Sequence, residues 1–446
     1  MSTPVETRVP PSTDDYAATH RARLPFLARQ FPPFNRRQWR VFGISTTAGF
    51  FDTYDGALLS LALKQIQKSL AIAEGSLGGL LSVVRLGYLG AILIAPLADV
   101  IGRRRLLLYT IIGYTLFTGL TAIAPNQRSF MGAQFLARAF SGAEATVSLV
   151  ILAEEVSAAD RGWALGMQTA LATSGYGLAA IVFGFIAVVP FGWRGLYALA
   201  LLPLALIVPL RRILPESRRF EAEAETGLRP RNVIQPIVRL FRAYPGRLSA
   251  LFAVWFLYPM GVASAGMFVP KYLQEVHRWT PGRISSLYIC GGAIGIMGSI
   301  IAGRVSDVAG RRRVGIAFMV AGPLLELALY GSRTNLVVLF WIGWVFCDQA
   351  AAMILNAYGA EVFPTSQRSS AGSVLAMARS GGAAMGLLLE GVLYRRVGNH
   401  WTAVRLLLVF WFAAALVMAL SFPETAGEEL EAIAPEASAS RSRGSA

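Results

Sequence analysis

Two aspartates in an apolar stretch are the residues of this sequence whose types and spacing most clearly suggest chemistry. Asp52 and Asp55 lie inside a hydrophobic run from about residue 41 to 63, long enough for a helix to cross a bilayer. Their i, i+3 spacing puts both carboxylates on one helix face. A charge near the bilayer centre costs several kcal/mol unless it is paired or faces a wet cavity. The stretch therefore predicts a face that lines a transport path and carries a proton. The alternative is that one aspartate caps a broken helix.

The composition identifies an integral membrane protein. Of the 446 residues, 54% are hydrophobic and only 15% are charged, whereas about a quarter is typical of soluble domains. Cys290 and Cys347 lie in hydrophobic runs, and the histidines lie outside the predicted spans, so a carboxylate must carry any proton that crosses. The sequence has no nucleophile–base constellation, no nucleotide-binding glycine loop and no metal-ligand cluster, so we predict no enzyme activity, no metal and no cofactor besides the coupling proton.

The hydropathy pattern predicts an all-α fold with twelve transmembrane helices in two six-helix bundles. We predict a disordered cytoplasmic tail over 1–40, bundles over 41–213 and 248–422, a cytoplasmic central loop over 214–247 and a cytoplasmic tail over 423–446. About 27 of the 41 Lys and Arg residues fall on the side of the N-terminus and central loop, which places both termini in the cytoplasm and argues against DNA binding as the reason for the +15 charge. The predicted spans are 41–63, 76–98, 105–124, 129–153, 163–188, 193–213, 248–270, 282–303, 314–332, 336–358, 371–394 and 401–422.

An internal repeat supports two related halves. The loop after span 2 contains Asp99, Gly102, Arg103 and Arg104, and the loop after span 8 contains Asp307, Gly310, Arg311 and Arg312 at the same spacing. Such loops predict a tight turn at the glycine and a charged contact between neighbouring helices at the cytoplasmic surface. Arginines that anchor a loop to anionic lipid are the alternative, but they do not explain the repeated Asp and Gly.

These loops resemble the signature of the major facilitator superfamily, Gly-x-x-x-Asp-Arg/Lys-x-Gly-x-Arg/Lys-Arg/Lys. The second copy matches from Gly303 to Arg313, whereas the first has Ala95 and Val100 at two signature positions. Segments beginning at Arg138, Pro215, Glu361 and Pro423 resemble further signatures of the sugar-porter-like branch. The resemblance covers about residues 40–432 and implies the twelve-helix fold and alternating access.

The resemblance also bears on the substrate. The Gln-Gln-x-Ser-Gly pattern with which sugar porters bind hydroxyls is missing from span 7. The Asp-x-Tyr-Asp sequence of span 1 and the Leu355–Glu361 segment are similar to aromatic-acid and metabolite:proton symporters. We therefore expect proton-coupled symport of a small organic anion, an aromatic or other carboxylic acid. Sugar or polyol symport and proton-driven export of drugs or metabolites remain as alternatives.

Candidate site residues follow from depth and from the resemblance. Asp55, Arg85 and Arg138 lie at similar depths, roughly 12–14 Å from the external surface at helical rise, and can converge on one site. Sugar porters pair a span-1 aspartate with a span-4 arginine, which implies that Asp55 binds the proton under the control of Arg138. Asp52 is a second carrier or a structural partner, and Glu144 relays the proton inward.

The predicted substrate contacts combine a cation with aromatic rings. Arg85 is assigned to the substrate carboxylate, or alternatively serves as a second counter-ion to the aspartates. In the C-terminal half, Glu326, Asp348 and Arg379 are expected to form an ion-pair network. We expect a monomer in the bacterial inner membrane, with the lipid bilayer and a small-molecule substrate as partners. The remaining predicted substrate contacts are Tyr54, Tyr258, Trp344, Asn356 and Tyr358.

Overall fold

The computed structural model describes residues 32–157, 160–202, 234–364 and 367–428, together with Ile433. These residues form α-helices and short 3-10 helices, and no strand occurs among them. Residues 1–31, 203–233 and almost all of 429–446 lie outside the described residues, and with them most of both predicted tails, the second half of span 6 and much of the central loop.

Six helical units form the N-terminal half. The second of them, α2, is a run of short α and 3-10 segments, and the short helix Leu63–Ser69 connects α1 to it. The units are α1 (Arg36–Leu61), α2 (Glu74–Leu97), α3 (Arg103–Ala122), α4 (Gln127–Glu155), α5 (Arg161–Gly184) and α6 (Trp193–Leu199).

Six further units form the C-terminal half, preceded by the short helix Ile234–Ala243. The last unit, α12, consists of two consecutive helices with a break at Leu408. The units are α7 (Pro245–Glu275), α8 (Pro281–Ala309), α9 (Arg311–Gly331), α10 (Val337–Glu361), α11 (Arg368–Val397) and α12 (His400–Ser421).

Nine of these helices in the described part of the chain are long and apolar enough to cross a membrane, namely α2 to α4 and α7 to α12. Helices α1 and α5 have 26 and 24 residues, which is sufficient length, but their many Ser, Thr and Gly residues make them less apolar. Apolar side chains point outward, with exposures of 79% for Leu93, 91% for Val308 and 75% for Leu420. This is the surface that helices in lipid present.

Local capping explains where several helices begin, and it moves two predicted boundaries. The Asn35 side chain accepts the backbone N–H of Gln38, and the Gln38 side chain accepts that of Asn35, so α1 begins at Arg36 rather than at residue 41. Pro245 occupies the first turn of α7, which therefore starts inside the predicted central loop. Apart from span 6, whose second half lies outside the described residues, the other predicted span ends match the helix ends to within six residues. The largest difference is at α8, which continues to Ala309, so Asp307 lies in a helix and not in the predicted loop.

The two halves carry equivalent turns and ion pairs on the side where α1 begins and α12 ends, which we call the termini side. Gly102 and Gly310 have φ angles of 96° and 98°, a backbone conformation that favours glycine. Arg103, which follows the first turn, lies 2.8 Å from Glu154 at the end of α4. Arg311, which follows the second, lies 2.9 Å from Glu361 at the end of α10. The predicted charged contact between helices is therefore present in both repeats.

Further contacts surround the second repeat. Asp307 lies 3.1 Å from the Arg311 guanidinium, and the Glu424 carboxylate accepts the backbone N–H groups of Arg311 and Arg312. Glu424 thus caps the N-terminus of α9 with a negative charge. Arg104 is half-buried in the first turn of α3, and the side chain of Asp99 lies outside the described part of the structure.

The halves contact each other on the side away from the termini, which we call the opposite side. Ser60 donates a hydrogen bond of 3.0 Å to the Met267 carbonyl, linking α1 to α7. Ser82 likewise donates to the Ala384 carbonyl at 2.8 Å, linking α2 to α11. Among the described residues, no hydrogen bond or ion pair joins the halves on the termini side. The molecule is therefore closed on the opposite side.

Candidate proton-coupling and substrate site

A buried ion pair joins α1 and α4 in the N-terminal half. Asp55 is fully buried, and its carboxylate lies 2.8 Å from the guanidinium of Arg138, which is 2% exposed. Asp52, one turn closer to the termini side, lies 3.6 Å from the same guanidinium. The structure therefore brings together Asp52, Asp55 and Arg138, the first three residues of the predicted proton-coupling site.

Neighbouring polar groups and close helix packing fix this pair. Gln134, one turn from Arg138 on α4, accepts a hydrogen bond of 3.0 Å from its guanidinium, and Ser141 donates a hydrogen bond to Asp52. A Cβ atom at Gly87 would lie 2.3 Å from the Phe135 carbonyl oxygen, so only glycine lets α2 approach α4 this closely. The arginine is thus held by several partners on three helices.

The polar face of α4 continues toward the termini side. Glu144 lies one turn beyond Ser141 on the same face, is fully buried, and has no hydrogen-bond partner for either carboxylate oxygen among the described residues. One turn further, Ser148 accepts a hydrogen bond of 3.3 Å from Gln168 on α5. A line of buried polar groups therefore leads from the ion pair toward the termini side, with Glu144 in its middle.

Arg85 is separated from the ion pair by Tyr88. The guanidinium groups of Arg85 and Arg138 lie 5.2 Å and 5.8 Å from the centre of the Tyr88 ring, which are cation–π distances. Among the described residues, Arg85 has no ion pair, and its Nε has no hydrogen-bond partner. Arg85 lies one turn from Ser82, which contacts α11, so it borders the space between the halves. This position does not support its alternative role as a direct counter-ion to Asp52 or Asp55.

The C-terminal half contributes a cavity of about 360 Å³ that is lined by α7, α10 and α11. Arg379 lies in its wall, 6.0 Å from the ring of Trp255, which also lines it. Asn356, a predicted substrate contact, lines the same cavity. Arg379 lies five residues before Ala384 on α11, and the Ala384 carbonyl accepts the hydrogen bond from Ser82 of the other half. The cavity thus combines a cation, an aromatic ring and an amide beside the space between the halves.

The prediction that Glu326, Asp348 and Arg379 form an ion-pair network is wrong. Tyr258 donates a hydrogen bond to Asp348, whereas both carboxylate oxygens of Glu326 lack a hydrogen-bond partner among the described residues. No ion pair there joins Arg379 to either carboxylate, because Arg379 turns toward Trp255 and the cavity. By the repeat, α7 and α10 correspond to α1 and α4, so the Tyr258–Asp348 bond joins the pair of helices equivalent to the one joined by Asp55 and Arg138.

Three of the predicted aromatic contacts are buried in helix packing. Tyr54 is fully buried, and its hydroxyl donates to the Leu196 carbonyl on α6 at 2.9 Å. Tyr358 is also fully buried, and its hydroxyl donates to the Pro423 carbonyl at 2.9 Å. Tyr258 packs edge-on against Trp411, with a ring separation of 5.3 Å. These hydroxyls are already bonded within the protein, so the positions of the three tyrosines argue against substrate contact.

Trp344 is 7% exposed and lies opposite Gly266 of α7.

Several residues of the site were missed from the sequence. Gln134 and Ser141 lie on the Arg138 face of α4 at helical spacing, which is a signal that helical periodicity could have shown. Tyr88 follows Arg85 by three residues and could have been found in the same way. Trp255 and Arg379 come together only through the packing of α7 against α11, which spacing within one helix does not reveal.

Comparison with protein families decides the class of this molecule. Residues 46–343 match the family model described as Major Facilitator Superfamily, which is well over half of the chain. The chain belongs to the major facilitator superfamily. It is a multi-pass membrane transporter and not an enzyme, as predicted.

The transporter also resembles individual relatives. It is 25% identical over 396 residues to a gallate transporter of Pseudomonas putida, covering 80% of this chain and 86% of that protein. It is 23% identical over 414 residues to a putative niacin/nicotinamide transporter of Bacillus subtilis, covering 88% and 98%. It is 25% identical over 398 residues to a benzoate transport protein of Acinetobacter baylyi, covering 79% and 83%. Each name denotes an aromatic compound.

Solved structures confirm the fold. The inward-open conformation of the xylose transporter XylE from E. coli superimposes with a TM-score of 0.72 at 17% sequence identity, covering 89% of this chain and 99% of that one. A bacterial homologue of the human lysosomal transporter Spinster, inward-facing and unoccupied, gives a TM-score of 0.70 at 16% identity, covering 87% and 97%. At these identities the similarity supports the two-bundle fold alone.

Proposed function

We propose that this transporter carries an aromatic carboxylate across the bacterial inner membrane together with a proton, by alternating access. The observation that carries the proposal is the buried Asp55–Arg138 ion pair with Asp52 beside it. Aromatic compounds are the cargo named for the relatives, and an aromatic carboxylate suits a cavity that contains cations and an indole ring.

In this proposal, Asp55 binds the coupled proton. When Asp55 is charged, two carboxylates lie within 4 Å of one guanidinium and hold α1 against α4. Protonation of Asp55 removes one of these charges and leaves Asp52 as the remaining partner of Arg138. The change in attraction alters the packing of α1, which also contacts α7 across the halves through Ser60. Glu144 then accepts the proton on its way to the termini side.

Arg85 and Arg379 are proposed to bind the substrate carboxylate from the two halves. Both lack an acidic partner among the described residues, and a guanidinium binds a carboxylate through two parallel hydrogen bonds. Trp255 offers a face on which an aromatic ring stacks, and Asn356 offers hydrogen bonds to ring substituents. Substrate binding would then draw two cation-bearing halves together around one anion.

The orientation and oligomeric state belong to the same proposal. The basic clusters around Arg103 and Arg311 lie on the termini side, which the positive-inside rule assigns to the cytoplasm. The opposite side then faces outward, and the described conformation is closed toward the outside. Both halves of the site come from one chain, so we propose that the monomer is the working unit.

Uptake into proteoliposomes tests the proposed substrate class. Radiolabelled benzoate is offered under an inward proton gradient, with benzamide as the matched neutral compound and xylose as a sugar. We expect benzoate to accumulate above the level in protein-free vesicles, collapse of the proton gradient to abolish this excess, and benzamide to compete poorly. Accumulation of xylose alone would assign the chain to sugar symport. Proton-driven loss of an aromatic compound from preloaded vesicles, without gradient-driven uptake, would assign it to export.

A further inference from the structure

A cluster of charged side chains connects the two halves on the opposite side, far from the ion pair on α1 and α4. Four residues define this cross-half cluster: Glu74 at the start of α2, Lys271 near the end of α7, Glu390 on α11 and His400 at the start of α12. Only Glu74 comes from the N-terminal half. Its carboxylate lies 2.7 Å from Lys271 and 2.9 Å from His400, so within this cluster it joins the two halves.

His400 lies between two carboxylates in a fixed orientation. Its Nδ1 is 2.5 Å from Glu390 and its Nε2 is 2.9 Å from Glu74. The imidazole is 5% exposed and stacks between the rings of Phe268 and Tyr394, at 4.8 Å and 4.0 Å. Asn399 caps α12 by accepting the backbone N–H groups of Trp401 and Thr402, which positions His400 in its first turn. The ring therefore has little freedom to choose other partners.

The two contacts of His400 are both satisfied only when its ring carries a proton on each nitrogen. A neutral imidazole carries one N–H, so it can donate to only one carboxylate and must direct a lone pair at the other. An imidazolium donates from both nitrogens and satisfies both. Glu390 is fully buried, its first oxygen contacts His400, and its second oxygen has no hydrogen-bond partner among the described residues. A buried carboxylate without a cation is strongly unfavourable.

The surrounding charges do not supply a substitute. Glu390 and Tyr394 face His400 from α11, and Glu74 faces it from α2. On α7, Lys271 is fully buried and contacts Glu74, while Glu275 lies 3.3 Å from Lys271. When His400 is neutral, Lys271 is the one cation that faces the three carboxylates. When His400 is protonated, the imidazolium is a second cation facing the same three carboxylates. Lys271 alone therefore cannot balance this cluster.

We propose that His400 is a second proton-binding site, separate from Asp55, and that its proton holds the outward side of the transporter closed. When the proton leaves, the Glu74 contact loses one of its two cations, and Glu390 loses its only one. Both changes weaken the contact that must break when the halves separate on this side. Acidification of that side therefore favours the closed state, and alkalinisation favours the open one. The inference rests on the proposed alternating access but not on the proposed substrate or on Asp55.

The experiment measures the distance across the opposite side as a function of pH, without substrate. Spin labels are attached at Arg128→Cys and Arg333→Cys, two exposed positions on the two halves, in a Cys290→Ser, Cys347→Ala background. The protein carries Asp52→Asn and Asp55→Asn, so that those carboxylates contribute no pH dependence. We expect the ratio of short to long distances to rise as pH falls, by up to tenfold per pH unit for one linked proton.

Two variants and one control decide the outcome. His400→Gln should remove this pH dependence, and Glu74→Gln should shift its midpoint to lower pH because the imidazolium keeps only one carboxylate. His277→Gln is the matched control, since His277 bonds to the Ser332 carbonyl within the C-terminal half, and it should leave the pH dependence intact. The proposal is overturned if His400→Gln and His277→Gln show the same pH dependence, or if Glu74→Gln leaves the midpoint unchanged. None of these outcomes depends on which substrate is carried.

Discussion

Replacement of Asp55 by asparagine tests the ion pair on which the proposed coupling rests. Asparagine has nearly the same shape and still accepts a hydrogen bond from Arg138, but it binds no proton at working pH. Removal of one partner from a buried ion pair typically costs 3–5 kcal/mol, and we expect about 3 kcal/mol because Asp52 still lies 3.6 Å from Arg138. Asp55→Asn should therefore fold, with reduced thermal stability.

The functional effect of this substitution should be larger than its effect on stability. A carboxylate that moves with one proton carries no net charge, so the pH gradient drives its accumulation, by about 1.4 kcal/mol or roughly tenfold per pH unit. Asp55→Asn should lose this accumulation in energised proteoliposomes while it still exchanges labelled for unlabelled substrate. Asp348→Asn is the matched control, a buried carboxamide that can still accept from Tyr258, and it should accumulate normally. Undiminished accumulation by Asp55→Asn would refute the assignment of the proton to this residue.

Three further substitutions test the surrounding architecture. Arg85→Gln should raise the half-saturation concentration for benzoate at least tenfold and leave inhibition by benzamide nearly unchanged; equal losses would contradict a carboxylate contact. Glu144→Gln should slow proton-coupled uptake at least tenfold but spare exchange, and equal slowing of both would argue against a proton relay. Gly175→Ala should destabilise the protein by about 2 kcal/mol in thermal unfolding, because its Cβ would lie 2.0 Å from the Phe50 carbonyl oxygen. Gly177→Ala, where the Cβ would meet open space, is the control, and similar unfolding temperatures for the two would show that α1 and α5 tolerate separation.

Much of the fold could be predicted because hydrophobic length and loop chemistry are local signals. The predicted spans coincide with the helices where the structure describes them, and the repeated Gly102 and Gly310 mark turns with positive φ in both halves. The first boundary was placed five residues late because the capping box of Asn35 and Gln38 occurs in a polar, basic segment. Hydropathy detects the apolar part of a helix and not the turn that precedes it.

The proton-coupling residues were predictable in part, and the substrate contacts less so. Intramembrane charges are rare and must find partners, so Asp55 and Arg138 could be grouped by depth together with the family resemblance, and Asp52 by its helical spacing from Asp55. Aromatic residues need no charged partner inside a membrane, and the hydroxyls of Tyr54 and Tyr358 proved to donate to backbone carbonyls. His400 was placed outside the spans, although it begins α12 and is buried by residues from three other helices. Its role depends on contacts between the halves, which the sequence of one helix does not encode.

The most direct test of the central claim is proton entry driven by the substrate itself. Purified protein is reconstituted into vesicles that contain a pH-sensitive dye, and benzoate, nicotinate, gallate or xylose is added outside at a pH well above the pKa of the carboxylic acids. Protein-free vesicles and Asp55→Asn vesicles measure the passive entry of the acids. The account predicts that an aromatic carboxylate acidifies the lumen faster in wild-type vesicles than in either control. Acidification at the same rate in wild-type and Asp55→Asn vesicles, or with xylose alone, would contradict it.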